Sequence, residues 1–173
     1  MPSIKMPPGY NNLDLKNLIE GMNYADISPI NAGATLTLTA QTQPGNDIYS
    51  GRPVFLNSLT GSVVTLPAST GSGQMWRFYV SVLATSNSHI VKVANSTDII
   101  QGVMNTIDSD TAGTTTGWST VAADDTITLN RTTTGSAIRG EWFEILDAAA
   151  GLFLVRGQLA NTGAGATPFS ATV

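Results

Sequence analysis

Short runs that alternate apolar and polar residues dominate the chain from residue 33 onward, separated by clusters of Gly, Ser, Thr and Asn. The run Ala34–Thr39 alternates with a period of two, as a strand with one buried face does. Seven further runs are Pro53–Leu56, Val63–Leu66, Met75–Leu83, His89–Val93, Thr126–Leu129, Glu141–Leu146 and Leu152–Val155. Short strands between such turns predict an all-β fold with an antiparallel β-sandwich or jelly-roll-like body.

The first 30 residues have a different pattern. Prolines prevent regular structure at the very start, and Leu15, Leu18, Ile19 and Met22 then form one apolar stripe at helical spacing. We therefore expect an extended N-terminal arm, residues 1–30, that carries a short helix. Because so short a helix is marginal alone in water, its stripe must pack on something. The partner is either the open end of its own domain or a neighbouring subunit, and the sequence does not separate these alternatives.

The rest of the chain divides into a body, residues 31–157, and a tail, residues 158–173. Within the body, Met104–Asp125 is polar and predicts a long excursion with an added hairpin. The tail is rich in Gly, Ala and Thr and has little capacity for regular structure. Trp118 in the excursion and Phe169 in the tail, together with the stripe of the arm, are the apolar residues that we expect at an interface.

An internal duplication connects two parts of the body. The first unit is Val64–Leu66, Ser69–Ser72, Trp76–Leu83 and Ile90–Val93. The same order recurs 63 or 64 residues later as Ile127–Leu129, Thr133–Ser136, Glu141–Leu146 and Phe153–Arg156. Each unit reads as three strands with a glycine turn, which predicts two related β-meanders whose apolar faces cover each other.

The amino-acid composition argues against several classes of function. Charged residues are 12% of the chain, with 8 basic and 12 acidic residues and a net charge of −4, so we expect neither nucleic acid nor an anionic membrane as partner. The chain has no cysteine, which excludes disulfides and thiolate chemistry. It has no apolar run of membrane-spanning length, and its start lacks a signal-peptide pattern, so we expect no Sec export.

Candidate catalytic residues are few. His89 is the single histidine, next to a Ser/Asn turn, and we interpret it as a surface or strand-edge residue. Glu141 and Glu144 lie three apart in a predicted strand and therefore point to opposite faces, which makes them a poor acid/base pair even with Asp147 added. We predict that the protein is not an enzyme and assign it no catalytic residue and no cofactor.

Five aspartates form the densest acidic group, namely Asp98, Asp108, Asp110, Asp124 and Asp125. The segment that starts at Asp108 resembles a calcium loop but lacks the terminal glutamate that would supply the bidentate ligand. We interpret the group as solvated turns and predict no metal site.

The segment Thr70–Gly73 is rich in glycine but has no phosphate-loop pattern, so we interpret it as a sharp turn. Four aromatic residues occupy equivalent strands of the two units, and we interpret them as core: Trp76, Phe78, Trp142 and Phe143. The alternative is that such rings stack on sugars, in which case the protein is a carbohydrate-binding module.

A resemblance covers residues 54–157. The stretch Ser62–Gly73, the strand that ends Phe78-Tyr79-Val80, Ser88–Val93 and Asp98–Gly102 resemble a pattern of small β modules in tailed-phage virions, chiefly head decoration (cement) proteins. Trp118, Asp125–Leu129, Thr133–Gly135, Glu144, Asp147, Gly151 and Val155–Gly157 are similar to the second half of such proteins.

The resemblance implies a non-enzymatic structural role on the capsid surface of a virion, with the major capsid protein as partner and a homotrimer as the assembly. A tail-fibre or baseplate adaptor is the first alternative, and the carbohydrate-binding module is the second.

Overall fold

The computed structural model of the protein describes residues 29–40, 52–110 and 113–173. Within these ranges the chain forms twelve strands and no helix. The strands are β1 (Ile30–Asn31), β2 (Thr35–Thr37), β3 (Pro53–Leu56), β4 (Val63–Thr65), β5 (Met75–Val80), β6 (His89–Lys92), β7 (Ile99–Asp108), β8 (Thr115–Ser119), β9 (Thr126–Leu129), β10 (Trp142–Ala149), β11 (Leu152–Asn161) and β12 (Phe169–Ser170). The all-β prediction is confirmed for this part of the chain. The predicted helix of the arm lies outside the described residues, and no helix within them is long and apolar enough to cross a bilayer.

The strands form two mixed sheets. The seven-stranded sheet has the order β1-β3-β5-β10-β11-β7-β8, and the five-stranded sheet has the order β12-β9-β6-β4-β2. Strands β1 to β6 alternate between the two sheets, so β1, β3 and β5 are mutually parallel, as are β2, β4 and β6. The prediction of antiparallel sheets is therefore wrong, because a chain that changes sheet after every strand returns to each sheet in the same direction.

The two repeated units are not meanders. In the first unit β5 lies in the seven-stranded sheet, whereas β4 and β6 pair in parallel in the other sheet. In the second unit β10 and β11 form an antiparallel pair in the seven-stranded sheet, and β9 lies in the other. The equivalent strands β5 and β10 are nonetheless direct neighbours, with Phe78 opposite Phe143 and the two rings stacked at 4.9 Å.

The inward faces of the two sheets share one apolar core. Its members from the seven-stranded sheet include Val54, Leu56, Trp76, Phe78, Ile100, Met104, Phe143, Ile145 and Phe153. Those from the five-stranded sheet include Val64, Val91, Ile127, Leu129 and Phe169. Because side chains point alternately to the two faces of a strand, the outward residues of the seven-stranded sheet form a separate face.

The predicted excursion contains a hairpin of β7 and β8 at one edge of the seven-stranded sheet. Its first strand begins at Ile99, earlier than predicted, and pairs in parallel with all ten residues of β11. Trp118 lies opposite Met104, is half-buried against the core, and donates a hydrogen bond from its Nε1 to Thr106 Oγ1 at 3.0 Å.

The C-terminal segment is more regular than predicted. Strand β11 continues to Asn161, and β12 pairs with β9 through Phe169 and Ile127. The Phe169 side chain is only 5% exposed, so it anchors the segment in the core of its own body. The backbone N–H groups of the last two residues donate to the Asp125 carboxylate at 2.9 and 3.2 Å.

Candidate functional site

The outer face of the seven-stranded sheet carries a row of alternating charges. Register places Arg77 on β5, Glu144 on β10 and Arg156 on β11 directly beside one another. Arg77 donates from Nε and Nη2 to one carboxylate oxygen of Glu144 at 3.2 and 2.9 Å, and Arg156 donates from Nε to the other oxygen. The carboxylate is only 5% exposed, whereas the two arginine side chains are 51% and 72% exposed. The row therefore presents guanidinium groups to the solvent.

Glu144 stays ionised in this row. Burial by itself raises the pKa of its carboxyl group, but the hydrogen bonds and charges of Arg77 and Arg156 outweigh burial and lower that pKa below its usual value. Since two guanidinium groups share one carboxylate, the row has a net positive charge in a chain whose net charge is −4.

Two uncharged rows flank the charged one. On one side Phe55, Tyr79 and Trp142 lie side by side on β3, β5 and β10, and all three are half-buried. On the other side Met75, Leu146 and Leu154 lie on β5, β10 and β11, with the first and last of these exposed. We call these three rows the outer face.

A cleft of about 760 Å³ lies on the outer face over β3 and β5. The outward residues of β3 and β5 line it, together with residues of the adjoining loops. The lining residues of the described chain are Arg52, Pro53, Phe55, Ser72, Gly73, Gln74, Met75, Arg77, Tyr79, Val80, Ser81, Arg139 and Gly140. Three of them are arginines and none is acidic. No sequence pattern had indicated this cleft, because its residues come from strands and loops far apart in the chain.

The three carboxylates considered for acid/base chemistry are not brought together. Glu144 lies in the charged row, whereas Glu141 is buried and accepts hydrogen bonds from the N–H groups of Ser136 and Ile138 at 2.8 and 2.7 Å. Burial is the main influence on Glu141 and raises its pKa despite these bonds. The arrangement thus gives both glutamates structural partners.

Asp147 is held by the glycine-rich loop that the sequence predicts as a turn. Its carboxylate accepts hydrogen bonds from the N–H groups of Thr70, Gly71 and Ser72 and from the hydroxyl of Ser72 at 2.7 Å. Burial alone raises the pKa of Asp147, but these hydrogen bonds outweigh it and lower the pKa. The donors of this loop are therefore occupied by a carboxylate of the same chain.

His89 is fully buried, so the prediction of a surface or strand-edge position is wrong. Its Nδ1 accepts from the N–H of Ser62 at 3.0 Å, and its Nε2 lies 2.9 Å from the carbonyl oxygen of Val82. Burial lowers the pKa of the imidazole, so the neutral ring with a proton on Nε2 satisfies both partners. The sequence suggested an exposed position for His89 because a polar Ser/Asn turn directly precedes it.

The aspartate group is not a set of solvated turns throughout. Asp98, Asp124 and Asp125 are buried and accept hydrogen bonds from nearby backbone or side-chain groups. Asp108 and Asp110 lie at the tip of the β7–β8 hairpin. Among the residues that the structure describes, no three His, Asp or Glu side chains are placed to share a metal ion.

The aromatic prediction holds for three of its four residues. Trp76, Phe78 and Phe143 are core residues, whereas Trp142 is half-buried on the outer face. Of the predicted interface residues, Trp118 and Phe169 pack on the core as described above. The remaining four lie in the arm, outside the described residues: Leu15, Leu18, Ile19 and Met22.

No family model, curated protein or solved structure matches the chain.

Proposed function

We propose that the protein is a structural component of a tailed-phage virion, namely a head decoration protein that binds the outer capsid surface as a homotrimer. The resemblance of residues 54–157 supports this proposal, and one observation on the fold carries it further. Of the eight large apolar side chains exposed within the described ranges, four lie on the outward side of the seven-stranded sheet, which is the side of the outer face: Met75, Val103, Ile107 and Leu154.

Such a surface is suited to docking on a larger assembly. Exposed apolar side chains beside arginines are typical of the central part of protein interfaces, where arginine supplies several hydrogen bonds and apolar contact at once. A rigid two-sheet body offers this surface without the cost of ordering a loop. Three copies joined in a trimer would engage several capsid subunits together and gain avidity. The mechanism is passive, because bridging neighbouring subunits raises the barrier to their separation.

Counting the copies per particle tests the location. We expect quantitative mass spectrometry of purified virions to find the chain in a number proportional to the capsid subunits, and sedimentation of the pure protein to give a trimer. A small number of copies that remains with isolated tails would instead identify a tail-fibre or baseplate adaptor.

A substitution on the outward side of the seven-stranded sheet tests the docking surface. We expect Leu154→Asp to weaken co-sedimentation with undecorated capsids by about tenfold or more, because it places a charge in the buried part of the interface. Leu59→Asp is the matched control, since Leu59 is 60% exposed and lies between β3 and β4, where the chain passes from one sheet to the other. Equal binding by both folded variants would show that another surface meets the capsid.

A further inference from the structure

The cleft over β3 and β5 has the chemistry of an anion site. Its described lining contains Arg52, Arg77 and Arg139 and no carboxylate, although acidic residues outnumber basic ones in the chain as a whole. A volume of about 760 Å³ is far larger than an inorganic ion requires and falls in the range of sites for small organic ligands. The ligand that fits is therefore an organic molecule that carries negative charge.

Two of these arginines have hydrogen-bond donors to offer. Arg139 is exposed and has no partner among the described residues. Arg77 directs two of the five N–H donors of its guanidinium group to Glu144, which leaves three donors for a ligand. The remaining donors of Arg77 are held in place by these bonds. A planar guanidinium group in a fixed orientation is suited to bidentate binding of a carboxylate.

Aromatic rings form the second part of the cleft. Phe55 and Tyr79 are both half-buried, with ring centroids 6.1 Å apart and planes at 78° to each other. This edge-to-face arrangement leaves no parallel slot between the rings for a flat base. It offers apolar ring surface beside the arginines, on which the C–H face of a sugar ring can lie.

The position of the cleft in the sheet argues against an extended peptide. Strands β3 and β5 are hydrogen-bonded on both sides, to β1, to each other and to β10. Among the described strands, the cleft lies over paired strands and not beside a free edge to which a peptide backbone could add as a further strand. Recognition must therefore come from side chains, and the outward residues from Met75 to Tyr79 span about 13 Å along β5.

We propose that this cleft binds an acidic oligosaccharide, a short chain of sugars that carry carboxylate groups. The arginines Arg77 and Arg139 bind the carboxylates, and Phe55 and Tyr79 contact the sugar rings. The cleft shares Met75 with the proposed docking surface, but ligand binding by the isolated protein tests the cleft without the capsid proposal.

Calorimetric titration of the full-length protein tests the site. The probes are trigalacturonate, its fully methyl-esterified neutral form, and 3′-sialyllactose beside lactose. We expect at least one acidic probe to bind about tenfold or more tightly than its neutral counterpart, because a hydrogen-bonded charge pair is lost in the neutral form. We also expect Arg139→Gln to weaken that binding by about tenfold. Lys92→Gln is the matched control, since it removes one positive charge from the five-stranded sheet.

Three results would overturn the proposal. One is that no acidic probe binds at millimolar concentration to the folded protein. Another is that Arg139→Gln and Lys92→Gln bind an acidic probe equally well. A third is that a hexaglutamate peptide binds more tightly than every saccharide, which would assign the cleft to an acidic protein partner.

Discussion

Two buried carboxylates, one near each end of β10, accept hydrogen bonds from the backbone of two loops. Asp147 accepts the N–H groups of Thr70, Gly71 and Ser72, and Glu141 accepts the N–H groups of two residues in the loop before β10. These two loops are the repeated glycine turns of the duplication. The similarity of the two loops was visible in the sequence. Their structural role depends on which carboxylate each loop binds. For Asp147 that partner lies 75 residues or more away along the chain, beyond what a local pattern can show.

The buried imidazole of His89 makes the free energy of unfolding depend on pH. Burial lowers its pKa in the folded protein, so below about pH 6.5 the unfolded chain binds a proton that the folded protein does not. Stability is therefore lost as the pH falls from about 6.5 toward the lowered pKa. Glu141, whose pKa is raised, acts in the opposite direction at pH values above its usual pKa. A comparison with a variant that lacks the imidazole separates the two effects.

We expect His89→Gln to be less stable than the natural protein at pH 7.5 and to approach it as the pH falls to 5. Glutamine can accept and donate like the neutral ring but does not titrate, so the difference should shrink by up to about 1.4 kcal/mol per pH unit. Urea unfolding at several pH values measures it. A difference that stays constant between pH 7.5 and 5 would mean that the pKa of His89 is the same in the folded and the unfolded protein.

At the scale of elements, individual strands were predictable and their neighbours were not. Strands β3 and β9 have the predicted bounds, Pro53–Leu56 and Thr126–Leu129. Local alternation suffices for this, because it reports which residues of a strand are buried. Pairing is decided by contacts between distant strands, such as β11 with β7 and β5 with β10. The antiparallel meanders were inferred from order along the chain, which carries no information about the sheet that each strand joins.

The close approach of β10 and β11 depends on a glycine. A Cβ at Gly157 would lie 2.4 Å from the Cβ of Phe143 and 2.6 Å from the carbonyl oxygen of Trp142. Because Phe143 is fully buried against Phe78, neither strand can move without disturbing the core. Glycine at this position thus permits the pairing on which the charged row of the outer face is built.

We expect Gly157→Ala to destabilise the protein by about 1–3 kcal/mol, as overpacking in a core does. The matched control is Gly117→Ala on the edge strand β8, where an added Cβ meets only a side-chain oxygen at 3.4 Å. Chemical unfolding of both variants measures the difference. Equal and small effects would show that β10 and β11 can separate at this point without cost.

At the scale of the whole molecule, two parts of the chain are candidates for contact with a partner in the proposed function. The core cluster of the described residues begins at Ala32, after the arm, and ends at Phe169, near the C-terminus. The C-terminal segment is bound to its own body through Phe169 and Asp125. The outward side of the seven-stranded sheet therefore carries the proposed contacts, with the arm as the other candidate.

We expect a protein that lacks residues 1–28 to unfold cooperatively with a melting temperature within a few degrees of the full chain, because none of the core residues named above is removed. Differential scanning calorimetry measures this. The same truncation should weaken attachment to capsids if the arm docks on a neighbouring subunit. Loss of folding would instead show that the apolar stripe of the arm completes the core of its own domain.

The sequence by itself determined that the described chain is built of strands, because the alternation of apolar and polar side chains reports locally which residues of a strand are buried. It also identified three aromatic residues of the core, Trp76, Phe78 and Phe143. Only the tertiary structure decided that the sheets are mixed, that His89 is buried, and that arginines and aromatic rings from separate strands meet in a cleft. These features depend on which distant segments become neighbours, and that is set by the packing of the whole core at once.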